Sequence, residues 1–97
     1  MPYFVYILEC ADGSLYTGVT NHVDRRFQEH CDGRDPRAYT YTRRPVILAY
    51  VEEHAWVTDA IEREKQIKRW SKAKKSALIK GQLAELSALA KRRGDFV

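Results

Sequence analysis

Tyr3 to Glu9 reads Tyr-Phe-Val-Tyr-Ile-Leu-Glu, a nearly unbroken run of aromatic and aliphatic residues, and nothing else in the chain constrains the fold as tightly. Such residues favour a strand. A strand apolar on both faces has to lie inside a sheet that is covered on both sides, instead of at a wet edge. Ala11-Asp12-Gly13-Ser14 follows, and Asp12-Gly13 offers the φ > 0 geometry of a tight hairpin turn. Leu15 to Thr20 then supplies a second strand.

Beyond the hairpin, Asn21 is positioned to cap a helix running to about Cys31, with Val23 and Phe27 on one side and Arg26 and His30 sharing another. Asp32 to Arg44 reads as a polar loop, and Val46 to Val51, announced by Pro45, as a third strand. A helix is expected from Thr58 or Asp59 to near Trp70, and Ser71 can cap a last one carrying Ile79, Leu83, Leu86 and Ala90 at helical spacing. Trp56 and Trp70 read as helix-packing residues, and Gly81 weakens the last helix without breaking it. The order ββαβαα predicts a layered α/β (α+β) domain, a small three-stranded antiparallel sheet flanked by helices. We divide it into a domain over 1–80 and a C-terminal helix extension with a basic tail over 81–97.

From 97 residues we expect one core and no separate regulatory or targeting module. Phe4 to Leu8 has no basic leader, and no stretch approaches the ~20 apolar residues of a membrane span. A soluble, cytoplasmic, monomeric protein is the expectation. Cys10 and Cys31, with no Cys-x-x-Cys pair, read as reduced thiols and make a zinc or thiol site the weakest of the readings. The net charge of +4 is unevenly spread: residues 1–62 carry 6 Lys/Arg against 10 Asp/Glu, and residues 63–93 carry 11 against 2. A cationic half of this kind attracts polyanions.

Five residues carry the chemistry. Tyr6 ends Phe4-Val5-Tyr6, Tyr16 opens Tyr16-Thr17-Gly18 ten residues later, Arg26 follows after another ten, His30 lies one helical turn further, and Glu64 falls on the helix after the third strand. Each fragment alone is common, and strand tyrosines are ordinarily packing residues. All five in order are informative. Over residues 3–75 the chain resembles the GIY-YIG nuclease family, the catalytic domain of excision-repair and homing endonucleases, and looks closest to its small stand-alone bacterial members.

That resemblance implies a metal-dependent endonuclease hydrolysing DNA phosphodiester bonds, with single-stranded or branched DNA as the expected substrate form. It places Glu64 on one Mg²⁺ (or Mn²⁺), Arg26 on the phosphate, Tyr6 as general base with Tyr16 as its partner, and His30 where some members carry a Tyr. A free phenol, with a pKa of ~10, needs a nearby cation to act as a base. Gly18 allows the chain or a phosphate to approach closely, and Arg25 is a secondary backbone contact. Arg34, Arg37, Arg43 and Arg44, interleaved with Tyr39 and Tyr41, suit a phosphate-gripping and base-stacking loop. Lys65, Lys68, Arg69, Lys72, Lys74 and Lys75 extend the grip.

The Asn that many members carry after the catalytic helix has no counterpart here. This keeps open a second reading, a catalytically inactive nucleic-acid-binding module of the same fold. An intact Glu64 argues against it, because a carboxylate that holds no metal only repels phosphate. A protein partner that helps find substrate is a further expectation, and nothing in the sequence identifies one.

Overall fold

The structure, a computed structural model, describes residues 1–92, with side chains described through residue 83. The side chains of Leu86 and Ala90 and the tail 93–97 lie outside the described residues. Strands β1 (Tyr3–Glu9) and β2 (Leu15–Thr20) lead into helix α1 (Val23–Asp32), and a 3₁₀ turn (Tyr41–Arg43) precedes β3 (Ile47–His54), α2 (Val57–Lys68) and α3 (Lys72–Arg92).

The sheet is antiparallel in the order β2-β1-β3, so the most apolar strand is the central one, as its sequence requires. Its alternation divides the core. Val5 and Ile7 point to one side and pack with Tyr50, Ala60 and Ile67 beneath α2 and α3; Tyr6 and Leu8 point to the other with Cys10, Val46 and Phe27 beneath α1. Pairing puts Tyr6 opposite Gly18 and Leu8 opposite Tyr16, which sets three of the sequence-selected residues on the α1 face.

Local chemistry explains the turns. Asp12 Oδ1 accepts from the Ser14 N–H (3.0 Å) and the Ser14 hydroxyl (2.6 Å), and Gly13 takes φ 84°. Gly33 ends α1 in the left-handed region at φ 66°. The cap of α1 is His22, whose Nδ1 accepts from the Arg25 N–H at 3.2 Å, and not Asn21 as the sequence suggests. Thr20 accounts for the shift: its hydroxyl accepts from the His22 N–H and fixes the entry to the helix. Ser71 does cap α3, accepting from the Lys74 N–H at 3.2 Å.

Two boundaries also differ from expectation. β3 runs from Ile47 to His54 because β1 pairs with it as far as Tyr3↔His54. α2 begins at Val57, with Trp56 as an N-cap that makes no side-chain cap bond and is 70 % exposed. Trp56 therefore does not pack between helices, whereas Trp70 lies against the core.

Helix α2 is tied to β3 through Arg63, whose Nε donates to Glu52 Oε2 at 2.9 Å, while Tyr50 donates its hydroxyl to the other oxygen of Glu52 at 2.6 Å. Along β3, Gln82 of α3 donates its amide to Val51 O at 2.7 Å and so satisfies a backbone group of an edge strand. No helix among the described residues is long and apolar enough to cross a membrane.

Ile67 is fully buried where α2 meets the central strand. We expect Ile67→Ala to cost about 2–5 kcal/mol in urea unfolding. Leu83→Ala, at a residue 58 % exposed, should change stability by less than about 0.5 kcal/mol. Equal effects of the two would contradict this assignment of the core.

Candidate active site

Tyr6 reaches the site by crossing Gly18. A Cβ at position 18 would overlap the Tyr6 phenol, so the glycine of Tyr16-Thr17-Gly18 makes room for a side chain of the neighbouring strand. Past that gap the Tyr6 hydroxyl lies 3.1 Å from His30 Nε2. Tyr16, on the same face, completes a cluster of three tilted rings, with centroids 6.4 Å from Tyr6 and 5.2 Å from His30.

His30 is buried, and its Nδ1 is 2.7 Å from the hydroxyl of Thr40, itself almost wholly buried. Burial, and then the Arg26 charge, hold the imidazole below its ordinary pKa and therefore neutral at pH 7. The Tyr6 phenol is pushed up to about 12, first by burial and then by Tyr16. Arg26 pulls it the other way through a hydrogen bond and its charge. A protonated Tyr6 donates to Nε2, which leaves Nδ1 as the N–H that donates to Thr40.

Arg26 sits one turn before His30 on α1 and is held by Glu29, Nη1 to Oε1 at 2.9 Å. Glu64 comes from α2, with its side chain 15 % exposed and one oxygen 3.2 Å from Lys68 Nζ. Its charge reaches Tyr6, where it adds to the upward push on the phenol. Tyr6, Tyr16, Arg26 and His30 thus come to one place from β1, β2 and α1, and Glu64 of α2 is near enough for its charge to act on the Tyr6 phenol.

The remaining sequence-selected residues are dispersed. Arg34 lines a small cleft with Arg26, Glu29 and Thr40. Arg25 is exposed, and Arg37 is exposed beside Asp35 at 3.5 Å. Arg43 is bound to Asp12 (3.1 Å) and Tyr39 O (2.7 Å) and stacks over the Tyr39 ring at 3.8 Å. Arg44 donates to Tyr41 O and its guanidinium packs into the space where Gly33 would carry a Cβ. These two arginines close the loop onto itself, and Tyr39 commits its ring to Tyr16 and Arg43.

Lys65 and Arg69 line a different groove with His54, Asp59 and Glu62, whereas Lys68 stands beside Glu64. Lys72 reaches the Gly13 turn. Sequence reasoning missed Thr40 as a support, because it is ten residues from His30 with no periodic relation to it. The Arg26–Glu29 pair is an ordinary i, i+3 ion pair, Glu29 being one of the two carboxylates, with Asp24, that the sequence offers Arg26 as a partner.

A family model described as the GIY-YIG catalytic domain matches residues 2–77. The chain belongs to that family. A UPF0213 protein of Syntrophus aciditrophicus (strain SB) is 47% identical over 77 residues, 79% of this chain and 88% of that one. A UPF0213 protein of Desulfotalea psychrophila is 42% identical over 87 residues, 90% of this chain and 79% of that one. The solution NMR structure of a UPF0213 protein from Bacillus halodurans is similar with 40% identity and TM-score 0.54, covering 82% of this chain and 84% of that chain. That of an E. faecalis protein has 31% identity and TM-score 0.61, with 87% and 88% covered. The match to the GIY-YIG model takes in β1 to the first turns of α3, and so every element that contributes to the ring cluster.

Two outcomes check this geometry. Gly18→Ala should displace the Tyr6 phenol, cost about 1–3 kcal/mol, and move the His30 imidazole nitrogen resonances as the hydrogen bond is lost; unmoved resonances would refute the crossing. For His30 the folded pKa lies below the 6.5 of the free group, so on acidification the unfolded chain takes the proton first. Stability contributed by His30 is complete above pH 6.5 and declines below it until the folded imidazole itself protonates. Melting temperature against pH should therefore fall more steeply in wild type than in His30→Gln below pH 6.5.

Proposed function

We propose that this protein is a metal-dependent endonuclease that hydrolyses DNA phosphodiester bonds, acting as a monomer on single-stranded or branched DNA. The observation that carries the reading is a protonated phenol hydrogen-bonded to a neutral, buried imidazole beside a guanidinium. With a pKa near 12, Tyr6 has almost no phenolate at pH 7 and is a poor base by itself. A relay removes the difficulty: Tyr6 takes a proton from the attacking water while its own passes to His30 Nε2, so phenolate never accumulates. Thr40, accepting from Nδ1, keeps Nε2 free for that task. Arg26 offers two N–H groups to phosphoryl oxygens, with Glu29 holding the fork in place.

The residues present fit a hard divalent ion. Glu64 is one half-buried carboxylate, and among the described residues no group of three His, Cys, Asp or Glu side chains is arranged to hold a metal. One carboxylate suits Mg²⁺ or Mn²⁺, which keeps several waters and shares substrate oxygens. When bound there it supplies Lewis-acid stabilisation of the phosphoryl charge and the departing oxygen. The Lys68–Glu64 pair favours the second reading, a DNA-binding module without turnover, because it neutralises the carboxylate without a metal.

End-labelled single-stranded, duplex and forked DNA at low salt, with Mg²⁺ or Mn²⁺, distinguishes the two. We expect wild type to cut, and Glu64→Ala, Arg26→Ala and Tyr6→Phe each to lose about 10²-fold or more in rate, with DNA binding retained by Glu64→Ala. The wild-type rate should drop as His30 protonates below pH 6.5. Salt-sensitive binding with no cutting of any substrate would select the binding module.

A further inference from the structure

Along β2, an edge strand of the sheet, lies an open cleft of about 290 Å³ lined by Leu15, Tyr16, Thr17, Tyr39, Lys68 and Lys75. Two of its groups are anomalous. Thr17 is 2 % exposed, and its hydroxyl has no hydrogen-bond partner among the described residues. Lys75, at the start of α3, is 8 % exposed and no carboxylate among the described residues pairs with it. Partial burial and then the like charge of Lys68 push the pKa of its ammonium down.

Lys68 is paired with Glu64 at 3.2 Å. Neither the Lys75 ammonium, packed beside that second cation, nor the buried Thr17 hydroxyl has a partner among the described residues, an unfavourable arrangement that an occupant of the cleft would relieve. An anion with several acceptor oxygens answers Lys75 and the Thr17 hydroxyl and can share Lys68 with Glu64, and the cleft is open for it to enter. The position says which anion. Tyr16 lines this cleft and also belongs to the ring cluster with Tyr6 and His30, so an occupant sits beside the phosphate that Arg26 and Tyr6 would hold.

We propose that Lys75, Lys68 and the Thr17 hydroxyl form a second phosphate subsite, which takes an internucleotide phosphate of the bound strand next to the one that is cut. This rests on the endonuclease reading and adds to it the path of the substrate: from the Tyr6 pocket along β2 toward the N-terminal end of α3. It also assigns a purpose to a lysine that the basic composition of the C-terminal half conceals among its neighbours.

The test uses the whole protein and a set of single-stranded oligonucleotides, each carrying one uncharged methylphosphonate at a different position around the mapped cut. Binding is measured in EDTA, so that nothing is cleaved, and over a range of salt. One flanking methylphosphonate should weaken wild-type binding about tenfold, and the same replacement should have no further effect in Lys75→Met.

Lys75→Met should also lower the slope of log K against log salt by about 0.7, the value for one phosphate contact on a single strand. Thr17→Val should show its loss at that same position. Lys80→Met, at an exposed lysine of α3 that does not line this cleft, should leave the pattern of wild type. Melting curves establish that each variant is folded.

If wild type binds and cuts but every methylphosphonate effect persists in Lys75→Met, the subsite is refuted and the nuclease reading survives. Inorganic phosphate that saturates the Lys75 and Thr17 resonances without competing with the oligonucleotide would reassign the cleft to free phosphate and overturn the proposal. If wild type neither binds nor cuts DNA, both readings fall together.

Discussion

The burial of β1 on both faces is the constraint on which the rest of this molecule depends. A two-sided apolar strand needs a neighbour on each edge and a cover on each face, and β2, β3, α1 and the α2–α3 pair supply them. The strand's alternation then does the sorting. Val5 and Ile7 anchor the helices that follow β3, while Tyr6, one residue out of phase with them, is delivered to the α1 face where His30 and Arg26 wait.

The site is consequently built from the core outward. The Tyr6 ring is itself a buried core residue, and only Gly18 lets its hydroxyl emerge at the β2 side. That burial raises the phenol pKa and lowers that of the imidazole, which matches a donor to an acceptor at neutral pH. Packing and acid–base behaviour have the same cause here, so a substitution that loosens the first disturbs the second. The polar loop before β3 contributes in the same way: Arg43 and Arg44 hold it closed, and closure brings the Thr40 hydroxyl to Nδ1 of His30.

Charge follows a different logic. The basic half of the chain is distributed over faces of α2 and α3 that do not all converge. Lys65 and Arg69 look into one groove, Lys68 and Lys75 into another beside the ring cluster. A helix repeats every 3.6 residues, so a run of lysines is spread around its axis. Which of them matter depends on what the helix packs against.

Much of this was legible in the sequence. The central strand, the Asp12-Gly13 turn, the Ser71 cap and the element order follow from local rules, because strand propensity, turn chemistry and capping act over a few residues. The GIY-YIG resemblance, carried by five residues at fixed intervals, was legible for the same reason: spacing along a strand or helix is local geometry. Three-dimensional packing alone decided that Gly18 accommodates Tyr6, that His22 displaces Asn21 as a cap, that Trp56 stands in solvent, and that Thr17 and Lys75 share one cleft with Tyr16. These are contacts between residues far apart in the chain or choices between near-equal local options. Their energies depend on which surfaces the sheet brings together, a property that no window of sequence contains.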